Sequence, residues 1–326
     1  MRFMSYLVGN SFRPRYGLVI SEEFLVDLES LLINELINDL GMSSANAEGL
    51  VRSVFECRGG YVIERVQFLK PLIDKALRKI SPSNLNEFRT MGLVRGLDEV
   101  KFLPPVPDPS KVIGIGLNYD EYRVMLGYFK PEVPLFFSKP VNTLIGHKDY
   151  IVIPRGGKWP GTSSKILFHE YEFAAIIGRR MKNIDKSKVY DYVFGFTLFG
   201  DITAHDIEMI QPGHVVYQQR SKSFDTFSPM GPWIVTIDEI RDKGIDVNNL
   251  RILRRRNGVI EGESRTSNMV FKPEEILEFL SEIMTLEPGD VISFGSPPAG
   301  PPEGLKPGDV IEEEVENIGT LVNFIK

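Results

Sequence analysis

The chain has 326 residues, 42% hydrophobic and 25% charged, the composition of an ordinary globular protein with length for roughly two domains. A net charge of −6 and a pI near 5.5 argue against an electrostatic grip on nucleic acid or an anionic membrane, so a small molecule is the expected partner. The single cysteine, Cys57, excludes an intrachain disulfide and a cysteine-based zinc site.

No run of about 18 uncharged apolar residues occurs, and the first 17 residues carry Arg2, Arg13 and Arg15 without the apolar core of a signal peptide. A cytoplasmic location is expected. Residues 16–21 have the texture of a strand, residues 22–40 place leucine and isoleucine at helical spacing, and residues 71–80 suggest a short amphipathic turn or two. Reactive side chains are not concentrated there, so residues 1–107 are expected to form a smaller α/β domain for packing or dimerisation.

Pro104, Pro105, Pro107 and Pro109 cannot sit in a helix or a central strand, and they mark the boundary. From residue 108 to 326 short apolar runs alternate with Gly, Pro and Asp turns, which predicts a β-rich second domain. Strands are expected at residues 112–119, 134–140 and 144–154, and the first ends in a glycine-bearing loop. That loop is no dinucleotide fingerprint, because its third glycine position is Tyr119. Residues 192–201 form an apolar strand ending in Asp201, followed by an expected helix over residues 202–210. The sequence Pro-Gly-Asp-Val-Ile occurs at 288–292 and again at 307–311, each a turn leading into a strand. Arg251 and Arg254–Arg256 form the one dense basic cluster, expected at a solvated strand edge.

The run Leu167-Phe168-His169-Glu170-Tyr171-Glu172-Phe173 interrupts an apolar strand with two acids. Alternation puts Glu170 and Glu172 on one face and His169 and Tyr171 on the other. Two buried like charges repel unless a cation lies between them. With carboxylate donors and no cysteine nearby, a hard ion is expected, Mg²⁺ first, with Mn²⁺ or Ca²⁺ as substitutes.

Six stretches then match a known family in order: Gly116-Leu117-Asn118-Tyr119, Phe136-Phe137-Ser138-Lys139-Pro140, Glu170-Tyr171-Glu172, Gly200-Asp201-Ile202-Thr203-Ala204, residues 222–232, and Leu286-Glu287-Pro288-Gly289-Asp290. Over residues 111–326 the chain resembles the fumarylacetoacetate hydrolase family. That resemblance implies an α+β fold with a mixed β-sandwich roll, and a divalent metal on Glu170, Glu172 and Asp201. It also implies a homodimer acting on a small 2-oxo or 1,3-dioxo acid of the acylpyruvate type. Lys222 would neutralise developing enolate charge, and Tyr119, Thr266, Gly295 and Ser296 stand where the family binds substrate.

One departure bears on the reaction. Family hydrolases read Asn-Tyr-x-x-His-x-x-Glu, in which the histidine activates water. This chain has Tyr122 and Met125 at those two positions, with Glu121 beside the missing histidine as a candidate replacement. Hydrolysis of a C–C bond needs a base for water, whereas decarboxylation or enol–keto isomerisation chiefly needs an electron sink. Hydrolase, lyase and isomerase chemistry all remain open, as does a non-catalytic family member that kept the metal and lost turnover.

Overall fold

The computed structural model describes residues 1–159, 161–208, 216–298 and 303–326. The protein is α+β with two mixed sheets. Along the first sheet the strands run Val94–Gly96, Phe24–Asp27, Arg15–Val19, Arg2–Val8, Ser228–Thr236, Val193–Ala204, Leu167–Ile177, Val291–Ser293, Val112–Gly116 and Leu135–Lys139. A second sheet of five described strands has the order Val259–Arg265, Arg251–Arg256, Val310–Val315, Gly319–Ile325 and Tyr150–Ile151.

The long strand Leu167–Ile177 lies between Val193–Ala204 and Val291–Ser293. Its odd residues Tyr171, Phe173 and Ala175 enter a core shared with Ile252, Val315 and Leu321 of the second sheet. Its even residues Ala174 and Ile176 pack with Leu28, Leu32, Val62 and Val66 from the N-terminal helices. Glu170 and Glu172 continue the even face beyond this packing. The first sheet crosses the proline-rich boundary, because Arg2 and Phe3 pair with Val235 and Ile234.

Several elements differ from expectation. Residues 22–40 divide into the strand Phe24–Asp27 and the helix Leu28–Asn38, because the Asp27 side chain caps the helix by accepting from the Ser30 N–H at 2.8 Å. The expected turn at residues 71–80 is the end of a longer helix, Gly59–Leu77, which contains Pro71. Gly60 belongs in that helix for a packing reason: a Cβ there would stand 2.0 Å from the Pro288 carbonyl oxygen. The strand expected to end at Asp201 runs on to Ala204, and only His205–Glu208 of the following helix lies within the described residues.

The basic cluster is not a solvated edge. Strand Arg251–Arg256 is internal to the second sheet, Arg254 is buried, and Arg255 and Arg256 pair with Glu314 and Glu261. Alternating acids on the neighbouring strands make this lattice, which a one-dimensional count of arginines cannot reveal. Among the described residues no helix is long and apolar enough to cross a membrane.

Candidate metal centre

Glu170 lies directly opposite Asp201 in the antiparallel register, and Glu172 follows on the same face. One carboxylate oxygen from each of Glu170, Glu172 and Asp201 lies within 4.8 Å of the others. Glu172 and Asp201 are buried, while the Glu170 side chain is 15% exposed and forms the open side of the cluster.

Lys222, the residue immediately after the short helix Val216–Ser221, is buried at the cluster and donates to Glu170 Oε2 at 2.6 Å, Asp201 Oδ2 at 2.5 Å and Thr203 Oγ1 at 2.6 Å. Its ammonium stands 5.1 Å from the centre of the Phe137 ring, and Phe137 in turn occupies the space left by Gly114, where a Cβ would come within 2.5 Å of it. Lys139, to which the motif Phe-Phe-Ser-Lys-Pro assigned no role, is fully buried and donates to Asp201 Oδ1 at 2.5 Å and to the Phe227 carbonyl at 2.7 Å. A lysine at the end of an edge strand ordinarily signals solvent, so only the family motif around Lys139 hinted at it.

Burial, Asp201 and Glu170 together push the Glu172 carboxyl well above the usual range, against a hydrogen bond donated by Ser293. Burial also acts to raise Asp201, but Lys139 and Lys222 outweigh it and hold this group below its ordinary value. The residues present fit a divalent cation. The donors are all oxygen, and a cation among them would relieve the repulsion that raises Glu172.

Tyr122 lies on the short helix Asp120–Met125, and its hydroxyl donates to Glu170 Oε1 at 3.4 Å. Tyrosine therefore stands at the open side of the acids. Asn118 anchors the start of this segment: its amide donates to the carbonyls of Phe271 and Phe294, at 3.1 and 2.7 Å, and accepts from the Phe271 N–H at 2.9 Å. Glu121 is not brought to the cluster. It is exposed and accepts from Ser264 and from Asn268 Nδ2, because the helix turns it toward the second sheet.

Tyr119 is fully buried, in contact with the core around Tyr171 and Met269, and its hydroxyl has no partner among the described residues. The Thr266 hydroxyl is taken up locally, donating to the Val247 carbonyl and accepting from the Leu250 N–H, both at 2.8 Å. It serves its own loop and does not reach into the site as a donor. Gly295, at φ +88°, packs against Ile115 and Asn118, and the Ser296 hydroxyl donates to the adjacent Pro297 carbonyl at 2.6 Å.

The described histidines lie outside the cluster. His169 faces away, as alternation requires, with Nε2 2.5 Å from Glu313 Oε1. His205 stacks on Phe168, His147 accepts from the Val322 N–H, and His214 lies outside the described residues.

The model of the fumarylacetoacetate hydrolase C-terminal family matches residues 111–326, and the chain belongs to that family. It is 38% identical over 232 residues to a mitochondrial oxaloacetate tautomerase of Rattus norvegicus, an alignment that covers 70% of each chain. A 5-carboxymethyl-2-hydroxymuconate delta-isomerase from Mycobacterium smegmatis superposes with a TM-score of 0.60 at 33% identity, covering 71% of this chain and 82% of that one. A maleylpyruvate hydrolase from Sphingobium sp. SYK-6, solved with manganese(II) and pyruvate, superposes with a TM-score of 0.70 at 25% identity, covering 100% of this chain and 98% of that one. These relatives are enzymes, and they span tautomerase, isomerase and hydrolase chemistry.

Proposed function

We propose that this protein is a Mg²⁺-dependent enzyme that interconverts the enol and keto forms of a small 2-oxo acid, working as a homodimer. The observation that carries this is Tyr122: the group held 3.4 Å from Glu170 is a phenol, where a water-activating imidazole would favour hydrolysis. The likeness to an oxaloacetate tautomerase supports the same choice.

Glu170, Glu172 and Asp201 would hold the cation, which supplies an electrophile for the substrate's carboxylate and 2-oxygen when bound. Lys222 then lies beside the position where enolate charge develops, and its ammonium stabilises that charge. Tyr122 Oη would give its proton to C3 of the enol and take up the proton released from the 2-oxygen, so that one proton moves from O2 to C3 and the tyrosine ends as it began; the reverse sequence returns the enol. The backbone around Gly295 and Ser296 would receive the substrate's carboxylate end, while the Tyr119 hydroxyl, closed off in the core around Tyr171, is left out of this role.

The test is to strip the protein with EDTA, restore Mg²⁺ or Mn²⁺, and follow the enol absorbance of oxaloacetate alongside pyruvate release from acylpyruvates. Metal-dependent enol decay without pyruvate release is expected. Pyruvate release alone would move the assignment to hydrolysis, and inertness toward the whole panel would favour a non-catalytic family member.

A further inference from the structure

Behind the acids, on the opposite face of the ligand strand, lies a second polar cluster buried between the two sheets. His169, Arg254 and Glu313 are each 2% exposed. Arg254 and Glu313 are directly opposite in the register of strands Arg251–Arg256 and Val310–Val315. Yet His169 Nδ1, Glu313 Oε2 and Arg254 Nε lack a hydrogen-bond partner among the described residues, and Arg254 Nη2 has only a long ion pair, 3.7 Å, with Glu261 Oε2. Buried polar groups left in this condition cost stability, and apolar side chains of similar volume often do better in such places. Packing alone therefore does not account for these three residues.

Their contacts fall on the backbone that carries the acids. Arg254 Nη1 donates at 2.7 Å to the carbonyl of His169, which begins the peptide bond leading into Glu170, and the guanidinium stands 5.3 Å from the centre of the Tyr171 ring. The Glu313 carboxylate rests against Gly200, the residue before Asp201. A Cβ on Gly200 would stand 2.6 Å from Glu313 Oε1, so glycine there makes room for this contact. His169 completes the grip through Glu313 Oε1 at 2.5 Å. One side-chain cluster thus touches the chain at or next to all three acids, from the face opposite their carboxylates.

We propose that Arg254, Glu313 and His169 are positioning residues, which hold the backbone at Glu170, Glu172 and Asp201 in the register that lets three carboxylates share one divalent cation. This rests on the assignment of those acids as a cation site. Partners that orient ligands from behind typically change metal affinity by about 10–100-fold when removed.

The experiment measures Mn²⁺ binding to the full chain by calorimetry and by the electron paramagnetic resonance of the bound ion, with thermal melting alongside. The variants are Glu313→Gln, Arg254→Lys, and the apolar triple replacement His169→Phe, Arg254→Met, Glu313→Leu. The triple variant is expected to melt at or above the native temperature, yet bind Mn²⁺ about 10–100-fold more weakly with an altered spectrum. The single variants should fall between, Glu313→Gln retaining the most. Mn²⁺ affinity within about twofold of native in every folded variant would overturn the proposal. Should the triple variant fail to fold, the two single variants decide it by the same criterion. Absence of Mn²⁺ binding by the native chain would remove the cation site itself, and this proposal with it, a result seen before any variant is made.

Discussion

Lys139 and Asp201 form an ion pair that is closed to solvent, with Nζ 2.5 Å from Oδ1 and the two side chains 0% and 1% exposed. Replacing one partner of such a pair leaves an uncompensated buried group and typically costs about 3–5 kcal/mol. Lys139→Met is expected to fall at the lower end, because Lys222 still faces Asp201 Oδ2 at 2.5 Å. Urea denaturation of Lys139→Met, Asp201→Leu and the double variant checks this. The double variant should recover part of the loss, and strictly additive losses would show that the two side chains are not coupled.

Lys222 separates binding from turnover. Its ammonium shares Glu170 and Asp201 with any cation that enters, so Lys222→Met should bind Mn²⁺ at least as tightly as the native protein. Turnover should nevertheless drop by about 10²–10³-fold, the usual effect of removing one group that stabilises an oxyanion. Calorimetry and enol decay, measured on the same preparation, read the two effects. A parallel loss of both would make Lys222 a structural member of the site only.

Tyr122→Phe removes a single hydroxyl from the open side of the acids. Loss of a general acid–base group lowers kcat by about 10²-fold or more, and metal affinity is expected to stay unchanged. The paired replacement Tyr122→His with Met125→Glu restores the residues found in hydrolases of the family. That variant should release pyruvate from an acylpyruvate that the native chain leaves intact, as a coupled dehydrogenase assay would detect.

His147 links stability to acid. Burial, with Lys148 adding to it, lowers the imidazole from its ordinary 6.5 to about 4, and the neutral ring accepts from the Val322 N–H at 3.1 Å. The unfolded chain takes up a proton near the ordinary value while the folded chain does not. The contribution is therefore complete above about pH 6.5 and is lost as the pH falls toward about 4, by up to about 3 kcal/mol. Urea midpoints at about pH 7 and about pH 4.5 should differ less in His147→Gln than in the native protein. An equal acid shift in both would assign the loss to other groups.

The acids were legible because a strand's period of two needs no tertiary information: Glu170 and Glu172 had to share a face, and His169 had to face away. Family motifs then brought in Asp201, Lys222 and Tyr122, which adjoin in the folded chain. Lys139 and Arg254 were opaque, since a lysine or arginine in a strand normally faces water and only the neighbouring strands reveal that these two do not. Thr266 shows the converse: a hydroxyl well placed in the motif is consumed by its own loop at Val247 and Leu250. The helix Gly59–Leu77 was hidden by Gly60 and Pro71, both poor helix formers; Gly60 is required by the close approach of Pro288, and nothing in the structure explains Pro71.

The ladder between Arg2–Phe3 and Ile234–Val235 has a consequence for any shortened form of the protein. A chain beginning at residue 111 would retain the whole family match and every acid of the cluster. It would also turn the Ile234–Val235 end of strand Ser228–Thr236 into an open border, with backbone donors and acceptors presented to the next molecule. The N-terminal strands thus act as a selvedge for the sheet that carries Glu170, Glu172 and Asp201.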